Sequence, residues 1–108
     1  GMDLGQTVVI KDQAVMAEEA IEGTDACIRR GGMLARGGAV VVKTAKPDQD
    51  LRFDVPAVGL ETLHSMMEPG CKVLAIEAYR TLFVEKTSVL KEADCAGIAI
   101  LSVEQEHL

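Results

Sequence analysis

Residues 39–45 read AVVVKTA, and the fold is decided there. An apolar run this continuous, ending in a single lysine, is how a central strand buried on both faces reads. Gly37-Gly38 lead into it as a loop, and Lys46-Pro47 end it. Working upstream, residues 7–11 (TVVIK) are β-branched and short, so they form a strand. Asp12-Gln13 turn the chain, and residues 14–19 return as the second arm of a hairpin. A helix over residues 15–21 is the competing reading, because Ala, Met and Glu are good helix formers. Glu22-Gly23-Thr24-Asp25 break the pattern and start a helix. Thr24 or Asp25 is expected as its N-cap. The helix runs to about Leu34, ending near Gly31-Gly32 or shortly after, with Arg29 and Arg30 late in it, where cations suit the helix dipole.

Downstream, residues 48–56 form a loop, residues 59–67 (GLETLHSMM) a short helix, and Pro69-Gly70 its stop. Residues 72–78 and 81–85 read as strands, paired as a hairpin if adjacent. Thr87 or Ser88 caps a last helix that runs to about Cys95 and ends at Gly97. Residues 97–103 supply the final strand. The order ββαβαββαβ predicts an α/β layered domain, a mixed β-sheet flanked by about three helices. Gly1-Met2 reads as a tag-cleavage scar, so residues 1–5 are assigned to scar and leader, 6–103 to the domain and 104–108 to a frayed tail.

Composition fits one small aliphatic core. The chain has 108 residues, 48% of them hydrophobic and only 3% aromatic, with no Trp. The net charge of −6 lacks the basic footprint of a nucleic-acid-binding domain. No apolar run approaches the ~20 residues of a membrane span. Cys27, Cys71 and Cys95 are odd in number and widely spaced, with no metal-binding signature. They are expected as reduced, buried thiols of a cytosolic protein. His64 is expected to be a packing or surface residue, and His107 to lie in the tail. Met66-Met67 are expected to fill the core.

The chemical anomaly follows the central strand. Lys46, Asp48, Gln49, Asp50, Arg52 and Asp54 fall within nine residues, at the strand edge where open α/β sheets bind ligands. If residues 48–54 are extended, Asp50, Arg52 and Asp54 share one face, and Leu51, Phe53 and Val55 the other. Carboxylates can hold Mg²⁺ through oxygen, and Lys and Arg can pair with phosphate. Together they suit a metal-assisted phosphate site. The alternative is an edge strand with a solvated salt-bridge ladder. Glu22-Gly23-Thr24-Asp25 divide the same way, between an anion-binding helix start and an ordinary cap.

The two clusters occur in order, as AIEGTDACIRRGG and then VVVKTAKPDQDLRFDVPAVG. In that combination the chain resembles the C-terminal domain of the LpxI-type UDP-2,3-diacylglucosamine pyrophosphatases of lipid A synthesis, whose members read much like EGTD…KxxKPxQDxRFDxPxxG. The resemblance covers about residues 6–103. It implies hydrolysis of the substrate's pyrophosphate to 2,3-diacylglucosamine 1-phosphate (lipid X) and UMP, by water attack at the α-phosphorus, with Mg²⁺ as cofactor. It assigns metal binding and water activation to Asp50 and Asp54. Lys46 and Arg52 would neutralise phosphate charge, assisted by Lys43 and Gln49. Glu22, Thr24 and Asp25 would border the same site, Asp25 among the catalytic groups. It further implies an absent N-terminal domain of the same enzyme as partner, a homodimer, a cytoplasmic location and peripheral contact with the inner membrane. The rival reading is a non-catalytic module that binds a phosphate-bearing lipid or nucleotide.

Overall fold

A computed structural model describes residues 5–45, 57–77 and 82–103. The hairpin reading holds. β1 (Gly5–Lys11) and β2 (Ala14–Glu18) pair antiparallel, joined by Asp12 and Gln13 at φ 53° and 67°. Positive φ at both central residues gives a turn whose twist matches that of the strands. The good helix formers of β2 are overridden by this pairing, and a register shift between Val9 and Ile10 accommodates one extra residue.

The main sheet runs β2-β1-β3-β5-β7. β3 (Val40–Ala45) is its central strand, antiparallel to β1 and parallel to β5 (Val73–Glu77), which pairs parallel with β7 (Ala99–Val103). The helices are α1 (Thr24–Ala35), α2 (Leu60–Met67) and α3 (Lys86–Ala96). α2 touches both α1 and α3, so the three form one layer. The α/β class, mixed sheet, helix count and element order agree with the sequence reading.

Several local expectations need correction. Val9, Val41 and Leu74 point into the helix layer and are fully buried, whereas Val40, Val42 and Val73 on the opposite face are half-buried. The continuous apolar run of β3 therefore marks a central strand, but not one covered equally on both sides. Among the described residues, 82–85 do not pair with β5. Leu82–Phe83 form β6, which joins the unforeseen β4 (Ala57–Val58) in a separate parallel pair. Two-residue strands carry too little periodicity to be read from sequence.

Neither expected N-cap caps. Gly23, at φ 91°, precedes α1, and Glu85, in the left-handed region, precedes α3; neither helix start has a side-chain cap hydrogen bond. Thr87 and Ser88 sit inside α3. α1 passes through Gly31-Gly32 and ends at Arg36, whose left-handed backbone returns its N–H to the Gly32 and Met33 carbonyls. The two glycines bring α1 onto the sheet. A Cβ on Gly31 would lie 2.5 Å from Val9, and one on Gly32 2.5 Å from Pro69.

Cys27 and Cys71 are buried as expected, but Cys95 is exposed. Met66 fills the core while Met67 is 43% exposed. Burial pushes the Cys27 thiol up to about 11, and burial also raises that of Cys71. The thiolate is the reactive form, and at pH 8 only ~0.1% of a thiol with that pKa is ionised. A thiol reagent at pH 8 should therefore label Cys95 rapidly, and Cys27 and Cys71 only after denaturant is added. Rapid labelling of three thiols in the native protein would contradict this packing.

Candidate phosphate-binding cleft

The C-terminal edge of β3 opens onto a cleft of about 450 Å³ lined by Thr24, Asp25, Lys43, Gly59, Leu60, Glu61, Thr62, Val84 and Glu85. The topology explains the convergence. β3, β5 and β7 run parallel, so helices that cross back over them bring their N-termini to the same end of the sheet. α1 contributes Thr24 and Asp25, α2 its first turn together with Gly59, and Glu85 immediately precedes α3. None of the three starts carries a side-chain cap hydrogen bond. The first-turn N–H groups of a helix lack intrahelical partners, and together with the dipole they favour negative charge.

Lys43 adds a cation to this wall. It lies on the helix-facing side of β3 and is only 7% exposed. Burial pushes its ammonium below the ordinary lysine range, while the Glu19 and Asp25 carboxylates push it back up. Asp25, Glu61 and Glu85 supply carboxylates around the same cleft. A cleft with a buried ammonium, uncapped helix starts and several carboxylates can take a phosphate together with a cation.

The structure brings some of the sequence-assigned residues together and not others. Thr24, Asp25 and Lys43 meet in the cleft. Glu22 does not line it. Its carboxylate accepts from Arg30 Nε at 3.1 Å and Nη2 at 2.9 Å, and from the Ala20 N–H at 3.1 Å. These donors hold its carboxyl below the usual range. Arg30 Nη2 also donates to the Glu18 carbonyl, so Glu22 and Arg30 tie the α1 entrance to β2, and Arg30 is not acting at the helix C-terminus. His64 is a surface residue, its Nε2 lying 2.7 Å from Glu92 Oε1 across α2 and α3.

Lys46, Gln49, Asp50, Arg52 and Asp54 lie outside the described residues, as does His107. Connectivity nevertheless fixes where their segment begins and ends. It leaves β3 after Ala45, two positions beyond Lys43, and returns at β4, two positions before Gly59, and both of those residues line the cleft. Among the described residues, no three His, Cys, Asp or Glu side chains come together to hold a metal ion. The carboxylates present are of the hard-oxygen type Mg²⁺ takes, and the sequence of residues 46–56, outside the described residues, carries three more aspartates. Sequence reading missed Leu60, Glu61, Thr62, Val84 and Glu85. Gly59 closed the second motif, but nothing in the sequence marked it as the start of a cleft-lining helix.

The family model for the LpxI C-terminal domain matches residues 1–101. The UDP-2,3-diacylglucosamine pyrophosphatase LpxI of Caulobacter vibrioides is 35% identical over an alignment covering 98% of this chain and 41% of that protein. The chain thus spans about two fifths of the length of the curated relative it matches.

Proposed function

The chain belongs to the LpxI C-terminal domain family, and from that premise we propose that it forms part of a pyrophosphatase cleaving UDP-2,3-diacylglucosamine. One observation carries this reading. Two motifs separated in sequence, Glu22–Asp25 and residues 43–59, meet at a single cleft through Thr24, Asp25, Lys43 and Gly59. A pyrophosphate with a bound divalent cation presents both the negative charge that Lys43 and the helix starts attract and the positive charge that Asp25, Glu61 and Glu85 attract. Water adds at the α-phosphorus, the bond to the bridging oxygen breaks, and UMP and 2,3-diacylglucosamine 1-phosphate leave.

In this account Lys43 pairs with phosphate oxygens, and the α1 and α2 backbone N–H groups donate to them. Lys46, Gln49 and Arg52 of the connecting segment would hold the remaining charge, and Asp25 lines the cleft. Asp50 and Asp54, with their oxygen ligands, would hold Mg²⁺, which when bound supplies Lewis acidity toward the phosphoryl group and lowers the pKa of a coordinated water. The rest of the longer protein covers the open side of the cleft, and the reaction takes place at the cytoplasmic surface of the inner membrane. Among the described residues no helix is long and apolar enough to cross a membrane.

The test is product analysis with the full-length protein. UDP-2,3-diacylglucosamine should give UMP and lipid X in equal amounts with Mg²⁺, and neither in EDTA. Tight lipid X binding without UMP release from the substrate would instead favour the non-catalytic module.

A further inference from the structure

The residue directly across the sheet from Lys43 is Thr7 of β1. It is fully buried, yet its hydroxyl makes no hydrogen bond among the described residues. Its backbone, by contrast, is well engaged. The Thr7 carbonyl accepts the Glu19 N–H at 2.8 Å and the Cys27 thiol at 3.6 Å. The first of these bonds points toward the β2 side, so Thr7 and Lys43 form a non-hydrogen-bonded pair of the β1–β3 ladder. Such pairs bring side chains closest, with Cβ atoms about 4.5–5 Å apart on one face. The shared face is the one under the helices. The Cys27 contact sets the first turn of α1 over Thr7, and Lys43 lines the cleft beside Thr24 and Asp25.

A buried hydroxyl without a partner costs stability. Valine has nearly the same shape and would avoid that cost. The hydroxyl therefore points to a second state of the cleft, in which it is satisfied. We propose that Thr7 is a positioning residue of this phosphate-binding cleft. When a phosphate enters, the Thr7 hydroxyl accepts a hydrogen bond from the Lys43 ammonium and holds that group against the ligand. An ammonium carries three N–H donors. Lys43 has other interactions as well, and one of the three donors is enough for Thr7. Thr7 acts through Lys43 and does not itself touch the ligand. The consequence for turnover rests on the pyrophosphatase reading given above.

Two substitutions separate this role from simple packing. Thr7→Val keeps the shape and removes the hydroxyl, whereas Thr7→Ser keeps the hydroxyl and removes the methyl. In the ligand-free 108-residue chain, Thr7→Val should melt about 4–8 °C above the wild type, the shift expected when one unsatisfied hydroxyl is removed from a domain of this size. In the full-length protein the same variant should bind lipid X about tenfold more weakly by calorimetry, the effect of losing a hydrogen bond to a charged group. Its kcat/KM for UDP-2,3-diacylglucosamine should fall by a similar factor. Thr7→Ser should stay within about twofold of the wild type in both, because its hydroxyl has the same donor and acceptor capacity. A purely structural role would move stability and affinity in the same direction, whereas here they part.

A melting temperature of Thr7→Val no higher than the wild type overturns the proposal, because the hydroxyl would then already be satisfied in the free domain. Unchanged lipid X affinity in that variant overturns it too, as does an equal loss in Thr7→Ser. Calorimetry needs no turnover. A full-length protein that binds lipid X but releases no UMP would therefore sink the pyrophosphatase reading, while the affinities of the two variants would still decide the role of Thr7.

Discussion

Replacing Asp50 or Asp54 by Ala in the full-length protein is expected to cut UMP release by roughly two to three orders of magnitude, as when a group that stabilises transition-state charge is removed. The fold should survive. The core rests on Val9, Ile28, Val41, Leu63, Met66, Leu74 and Val89, all fully buried, and the sheet is closed by the β1–β3–β5–β7 pairings. Far-UV circular dichroism and the melting temperature should therefore match the wild type while the assay collapses. Lys43 and the helix starts offer positive charge, and hydrolysis of a diphosphate also needs an activated water and a counter-cation. Asp50 and Asp54 are two of the three aspartates of the segment that begins and ends at the cleft, and the two that the family resemblance assigns to the metal. If both variants turn over normally, the assignment of metal binding and water activation to them is wrong.

Gly31→Ala should lower stability by about 2–4 kcal/mol, through overpacking of a site with no room to give. In a domain of this size that is a fall of roughly 10–20 °C in melting temperature. Alanine is the better helix former, by ~1 kcal/mol, so propensity alone predicts the opposite sign. Packing decides. The new Cβ would lie 2.5 Å from Val9 Cβ and within 2.8 Å of both Val9 methyl carbons. Val9 cannot retreat, because it is fully buried on a strand paired on both sides. Either α1 lifts from the sheet or β1 shifts. Lifting α1 would also displace Thr24 and Asp25, so activity should fall together with stability. A Gly31→Ala protein as stable as the wild type would mean that α1 does not sit this close to β1.

These same positions show what the sequence made legible. Residues 7–11 and 39–45 announce strands through β-branched runs, and Asp12-Gln13 announces a turn through its place between them. The local pattern and the tertiary pairing agree at these points, so the first hairpin and the central strand could be read without contacts. Gly31-Gly32 was misleading for a physical reason: a glycine that ends a helix and one that lets a helix approach a sheet are the same letter. The second role appears only when Val9 and Pro69 are placed opposite. Thr24 looked like a cap because threonine caps well, yet its hydroxyl is taken by Glu19 and the preceding glycine sits at the boundary.

The candidate site divided along similar lines. Thr24, Asp25 and Lys43 were reachable through motifs. Glu61, Thr62 and Glu85 enter the cleft because parallel strands bring successive helix starts to one edge, and that is a property of topology. Glu22 stood in the same motif as Thr24 but is drawn aside by Arg30, eight positions later. Spacing along the chain could not distinguish a residue facing a ligand from one that holds the helix entrance.

The most direct measurement is a crystal structure of the full-length protein with 2,3-diacylglucosamine 1-phosphate bound. The 1-phosphate should lie within hydrogen-bonding distance of Lys43 Nζ and of backbone N–H groups at the start of α1 or α2. A phosphate bound elsewhere, with Lys43, Thr24 and Asp25 making no contact with the ligand, would contradict it.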